Sequence, residues 1–151
     1  MTFAGLWCLL AVLQSPASDS LRLLAVSVSP SALVLEVRAR PLAVRDAVNE
    51  SLRRGELDAA GKIAAAYALA WRDSFLVREV VRFAAWPPPR RSAKVAVDSM
   101  RRAGIKTFGS DGPHAAVVLW RRALTRATTN GDSTGMAALL GNIGAGLLED
   151  G

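Results

Sequence analysis

The sequence predicts an all-α protein built from antiparallel helical hairpins. Apolar residues recur with the 3.6-residue helical period through most of the chain. Glycine and alanine stand where two helices would meet, and such small side chains let helices approach closely. The composition, 51% hydrophobic and 21% charged, is that of a globular chain and excludes a disordered one.

Residues 1–20 have the features of a secretory signal peptide. An apolar run from Phe3 to Leu13 precedes Ser15-Pro16-Ala17, a small-x-small pattern that predicts cleavage after Ala17. The run is too short to cross a bilayer, so we expect no transmembrane span. Because no lysine or arginine precedes it, a hydrophobic first helix packed on the domain is the alternative interpretation. With cleavage the protein would be exported, to the periplasm or the medium, and otherwise it would be cytoplasmic.

Residues 21–40 differ from the rest of the chain in a partly alternating, β-branched pattern. Val26 and Val28 alternate with serines, Pro30-Ser31 predicts a turn, and LVLEVR follows. This pattern predicts two short strands, at about residues 23–28 and 33–38. Because an isolated hairpin is marginally stable, this hairpin would have to pack on the helices.

Residues 41–89 predict a degenerate helical hairpin and a third helix. The first helix ends at Arg53-Arg54-Gly55, with basic residues and a carboxyl-terminal glycine. Asp73-Ser74 is expected to cap the third helix, and Pro87-Pro88-Pro89 to end it. The inward face predicted for this third helix consists of Val77, Val80, Val81 and Ala84.

Residues 90–151 contain the most regular helical pattern. A middle helix is expected to begin at Pro113 after the Asp111-Gly112 turn, since a missing N–H costs nothing at the first helical position. Its arginines lie opposite an apolar face made of Ala116, Leu119, Trp120, Ala123, Leu124 and Ala127. The next helix has the apolar face Met136, Leu139, Leu140, Ile143, Gly144 and Leu147.

This last region resembles the tetratricopeptide repeat family. Gly104 stands in the slot of the family's first-helix glycine, and Asp111-Gly112 stands in the turn. Residues 131–146, GDSTGMAALLGNIGAG, are similar to the phrase that opens repeats of the longer variety. Gly144 takes the slot of Gly104 at 144 − 104 = 40 residues, against 34 for the standard unit. Thr107 stands where an aromatic is usual.

The resemblance implies a solenoid of stacked hairpins. Such arrays need about three repeats and a polar cap, so we expect this chain to be a fragment of a longer array, truncated at its carboxyl end. The last helix would then leave Leu140, Ile143 and Leu147 partly uncovered. The repeat-packing residues that the resemblance implies are Gly104, Ala116, Trp120, Ala123 and Gly144.

The residues offer little catalytic chemistry. With one histidine, His114, and one cysteine, a Cys/His metal site is excluded. Residues 131–135, GDSTG, are superficially similar to protease nucleophile phrases, but Asp132 is better explained as a helix cap. Residues 141–146 lack the preceding strand and the spacing of a dinucleotide loop. We therefore predict no enzyme, no cofactor and no small-molecule substrate.

The resemblance implies a non-catalytic protein–protein interaction scaffold that binds a peptide or a partner domain. Candidate contact residues are Arg101, Lys106 and Asn142, and Asn142 matches an asparagine with which the family often holds a peptide backbone. An ordinary position on the helix surface is the alternative for Asn142. In exported bacterial proteins such repeats often precede a caspase-like protease or another effector domain, so the chain is expected to act as an adaptor.

The net charge of +6 raises an alternative function, the binding of nucleic acid or an anionic surface through arginine pairs. These pairs are scattered along the chain, and no block of six like charges occurs. Solvated helix faces are therefore the preferred interpretation, and nucleic acid is not the expected partner.

Overall fold

The computed structural model describes residues 14–150, which contain eight α-helices and no strand. The predicted all-α class is confirmed. The chain divides into an amino-terminal unit ending at Trp86 and a carboxyl-terminal unit beginning at Pro87. The helices are α1 (Gln14–Ser27), α2 (Pro30–Ala39), α3 (Pro41–Arg53), α4 (Leu57–Trp71), α5 (Phe75–Ala85), α6 (Pro88–Ser110), α7 (Pro113–Asn130) and α8 (Ser133–Asp150).

The predicted signal peptide lies mostly outside the described range. Its apolar run, Phe3 to Leu13, precedes the first described residue. The predicted cleavage site after Ala17 lies inside α1, so processing there would remove the first turn of that helix.

The predicted β-hairpin at residues 23–28 and 33–38 is wrong, because both segments are helical. Ser29 caps α2 by accepting a hydrogen bond from the Ala32 N–H at 3.3 Å. The alternating valines do not share a buried strand face, since Val26 is 72% exposed. A four-residue spacing, typical of a helix, instead relates the buried pairs Leu21/Ala25 and Leu33/Val37. Burial of these pairs outweighs the modest β-propensity of valine.

The amino-terminal unit is packed largely through alanine and valine, which allow close helix contacts. Arg22 joins α1 to the beginning of α4, because its Nη1 donates to both carboxylate oxygens of Glu56 at 2.7 and 2.8 Å. This hydrogen bonding raises the pKa of Arg22. The core of α3 and α4 consists of Ala43, Val44, Ala47, Val48, Leu52, Ala59, Ala60, Ile63, Ala64 and Ala66.

The inward face of α5 differs from the prediction. Asp73 precedes this helix and its Oδ1 accepts the Phe75 N–H at 2.8 Å, whereas the Ser74 N-cap makes no side-chain capping hydrogen bond. Val81 is 62% exposed, however, so the buried face of α5 is rotated from the predicted one toward the larger side chains of Leu76 and Phe83. The residues that α5 buries are Leu76, Val80 and Phe83.

The proline run follows the end of α5, as predicted, and also begins the next helix. Pro87 is the N-cap of α6, and Pro88 is its first residue. Proline is tolerated in this first turn because the N–H groups there have no intrahelical acceptor. Ser92, although serine often caps helices, therefore lies within α6.

In the carboxyl-terminal unit, α7 packs against both α6 and α8, and α6 also contacts α8. Two-residue turns join the helices, and each turn contains a glycine with positive φ, 90° at Gly112 and 64° at Gly131. The core consists of Val97, Ala116, Val117, Trp120, Ala123, Ala127, Leu139 and Ile143. Three antiparallel helices packed in this way correspond to one and a half helical hairpins. That such hairpins stack into a solenoid stays a prediction.

Candidate functional site

Trp120 is the centre of the carboxyl-terminal core. Its side chain is 3% exposed, its Nε1 donates to the Arg101 carbonyl at 3.1 Å, and its ring stacks on Phe108 at 5.9 Å between centroids. A Cβ added to Gly104 would lie 2.2 Å from Trp120 Nε1, so glycine alone leaves room for the indole. Two alanines of α7, Ala116 and Ala123, are fully buried beside it.

Gly144 has a different environment from Gly104. It is exposed, and nothing lies within 4 Å of the position that its Cβ would occupy. The close contact on α8 belongs to Gly146, where a Cβ would lie 2.6 Å from Val117 Cγ2 and 3.1 Å from Trp120 Cζ3. The structure therefore places Gly144 on the outer side of α8, because the buried side consists of Gly135, Leu139, Ile143 and Gly146.

The outer side of α8 is an apolar surface that no described residue covers, and we call it the open face. Leu140 is 55% exposed and Leu147 is 47% exposed. Between them, Gly141 and Gly144 have no heavy atom within 4 Å of their Cβ positions. An apolar helix face with glycines at its centre can be approached closely by another helix. The open face consists of Ala137, Leu140, Gly141, Gly144 and Leu147.

The three candidate contact residues lie on α6 and α8. Lys106 is exposed, whereas Arg101 and Asn142 are partly buried. The Nδ2 of Asn142 is shielded from solvent and has no hydrogen-bond acceptor in the described part of the chain. A shielded amide of this kind costs free energy unless an acceptor reaches it.

A buried ion cluster that the sequence did not predict lies at the turn before α8. Lys94 is 9% exposed, and its Nζ lies 2.8 Å from Asp98 Oδ1 and 3.2 Å from Asp132 Oδ2. Asp132 is 2% exposed, and its Oδ1 accepts the Gly135 N–H at 2.9 Å, as predicted for a helix cap. The only sequence signal for the cluster was the four-residue spacing of Lys94 and Asp98. The ion pair between Lys94 and Asp132 joins α6 to the turn before α8 and so helps to position α8.

Arg90 joins the first turn of α6 to the same turn. Its Nε and Nη2 donate to the carbonyls of Asn130 and Gly131 at 3.0 and 3.2 Å. The Nδ2 of Asn130 donates back to the Arg90 carbonyl at 3.2 Å. This arginine therefore stabilises the fold and is not a free positive charge.

Other arginines differ in whether an acidic residue pairs with them. Arg53 and Arg54 both donate to Glu50, and these hydrogen bonds, chiefly that from Arg53, lower the pKa of Glu50 to about 2. A different situation exists on α7, where the guanidinium groups of three exposed arginines form no hydrogen bond or ion pair with any described residue. We call this set, Arg121, Arg122 and Arg126, the arginine face.

Two kinds of feature are absent from residues 14–150. No three acidic, histidine or cysteine side chains in this range are grouped so that they could bind a metal ion. None of the described helices combines the length and the apolar character needed to cross a bilayer.

No model of a known protein family matches this chain, and no curated protein or solved structure matches it at a significant level. The tetratricopeptide resemblance therefore stays a prediction.

Proposed function

We propose that this chain is a non-catalytic protein–protein interaction scaffold, and that the open face of α8 receives a helix of its partner. The observation that carries the proposal is the combination of exposed leucines with two unobstructed glycines on one helix face. Exposed apolar surface of this kind is disfavoured in water, so burial against a partner would stabilise the complex.

The contact between α6 and α7 suggests what the partner supplies. Gly104 on α6 makes room for the indole of Trp120 on α7. Gly144 stands in the equivalent slot 144 − 104 = 40 residues later, with empty space above it. A partner helix that pairs with α8 as α7 pairs with α6 would place a large side chain, best an aromatic one, above Gly144.

A display library of amphipathic helices, with the whole chain as bait, tests this proposal. We expect enrichment of helices that carry an aromatic residue on their apolar face. Leu140→Asp and Gly144→Gln should each weaken binding of a selected helix by about tenfold, since each obstructs the apolar contact. Leu35→Asp is the matched control, because Leu35 is also exposed, at 66%, but lies on α2.

The proposal is rejected if no helix is enriched, or if Leu35→Asp weakens binding as much as Leu140→Asp does. Circular dichroism of each variant separates loss of binding from loss of fold. All three altered positions are exposed, so the helical signal should be unchanged.

The proposal extends to an exported adaptor for an effector or protease domain that is not among these residues. The apolar run before Gln14 supports export. Mass spectrometry of the protein secreted by a bacterial host tests it, with cleavage after Ala17 as the expected result. An intact amino terminus retained in the cytoplasm would contradict export and leave the binding proposal unaffected.

A further inference from the structure

The arginine face of α7 is a positively charged surface with no paired acidic residue in the described part of the chain. Helix α7 carries Arg121, Arg122 and Arg126 and contains no acidic residue. The threonines between and beyond them do not compete for a ligand, because the hydroxyls of Thr125, Thr128 and Thr129 each donate to the carbonyl four residues earlier. Recognition at this face would therefore depend on the guanidinium groups.

The described acidic residues of the carboxyl-terminal unit form no ion pair with the arginine face. Asp98 and Asp132 contact Lys94, Asp111 accepts the Ser110 hydroxyl, and Asp150 lies 3.5 Å from His114. Arg122 and Arg126 are one helical turn apart, and like charges at that spacing destabilise a helix. The fold thus exposes three neighbouring cations on α7 and pairs none of them with a described acidic residue.

We propose that the arginine face binds an acidic helical segment of a partner protein, with carboxylates four residues apart. Four residues rise by about 6 Å along a helix, so glutamates at positions i and i+4 match the spacing of Arg122 and Arg126. Each guanidinium can hold a carboxylate through two parallel N–H···O bonds. This contact does not involve the open face and stands or falls separately from it.

The geometry favours a protein partner over a nucleic acid or a membrane. Three charges within one and a half turns are fewer than the roughly six to ten phosphate contacts of a typical DNA site. The only aromatic residue of α7, Trp120, is 3% exposed and offers no platform for base stacking. The apolar side of α7 is buried in the core, so little remains to insert into lipid.

The test measures binding of a fluorescent alanine-based helix with glutamates at i and i+4 to the whole chain at low salt. The matched peptide carries glutamine at those positions. We expect the glutamate peptide to bind and the glutamine peptide not to bind. Arg122→Gln/Arg126→Gln should weaken binding about fivefold or more, as expected for loss of two exposed ion pairs.

The control variant is Arg38→Gln/Arg45→Gln, which makes the same charge change at two exposed arginines of the amino-terminal unit. It should leave binding within about twofold, since binding is not a general effect of net charge. Leu140→Asp should also leave it unchanged, which keeps this test separate from that of the open face.

Several results would overturn the proposal. These are absence of binding, equal binding of the glutamine peptide, and equal weakening by the two double variants. The proposal also fails if an oligonucleotide or phosphatidylserine vesicles bind more tightly than the peptide and lose binding in Arg122→Gln/Arg126→Gln. Those last outcomes would assign the face to a nucleic acid or to a lipid surface.

Discussion

Replacing Gly104 by alanine should destabilise the carboxyl-terminal unit, although alanine is the better helix former. The added Cβ would lie 2.2, 2.5 and 2.9 Å from Nε1, Cδ1 and Cε2 of Trp120. The indole cannot move freely, because it is buried, donates to the Arg101 carbonyl and stacks on Phe108. Accommodating the methyl group therefore requires the ring or the helix to shift.

The magnitude follows from three opposing effects. Overpacking of a filled core costs about 1–3 kcal/mol. Weakening of the indole hydrogen bond adds about 1 kcal/mol. The higher helix propensity of alanine offsets about 1 kcal/mol of this cost. The free energy of unfolding of Gly104→Ala should thus fall by about 1–3 kcal/mol.

Gly144→Ala is the matched control, because it makes the same chemical change where nothing lies within 4 Å. It should raise the free energy of unfolding by about 0.5–1 kcal/mol. Urea denaturation followed by circular dichroism measures both, with two transitions fitted if the two units unfold separately. Equal stabilities of Gly104→Ala and Gly144→Ala would refute the packing argument.

Three further changes test local contacts by equilibrium denaturation. Glu50 has a pKa of about 2, below its ordinary 4.5, so its stabilising effect is present above pH 4.5 and is lost as the pH falls through 2. Glu50→Gln should lower the free energy of unfolding by about 1 kcal/mol at pH 7 and should not change it near pH 2. The value at pH 7 is small because solvent screens Arg53 and Arg54, which are 39% and 46% exposed. An equal cost at pH 7 and pH 2 would contradict this. Asp132→Ala removes the cap of α8 and one partner of a buried lysine, so it should cost about 2–3 kcal/mol, and Asp132→Asn, which keeps the cap acceptor, should cost less. Arg72 has φ 56°, so Arg72→Gly should stabilise the end of α4 by about 0.5–1 kcal/mol, and an unchanged or lower stability would contradict this.

The sequence predicted best where local signals and burial agree. Pro113 begins α7 as expected, and Arg53 ends α3 before a glycine with φ 76°. The face of α7 follows the predicted spacing because its small residues pack on both neighbouring helices. Such features depend on residues close in the chain, and periodicity and capping chemistry report them directly.

The errors arose where distant contacts decide the conformation. Valines near Val26 alternate as in a strand, yet the contacts of α1 and α2 with α3 and α4 select a helix. The buried cluster around Lys94 could not be predicted either, because its partner Asp132 is far away in sequence. The exposure of Gly144 could not be predicted either, since glycine at a crossing and glycine at an open face give the same pattern.

Helix α8 carries glycine on opposite sides, and only one side has a structural reason within the described chain. Gly144 and Gly146 are two residues apart, about 200° around the helix. Gly146 lets Val117 and Trp120 approach, whereas Gly141 and Gly144 touch nothing, although each glycine lowers helix stability by about 1 kcal/mol relative to alanine. Gly141→Ala/Gly144→Ala should therefore raise the free energy of unfolding by about 1–2 kcal/mol and, at the same time, weaken binding of a helix selected on the open face. Greater stability with unchanged binding would show that these glycines do not serve a close approach, and the open face would lose its main support as a docking surface.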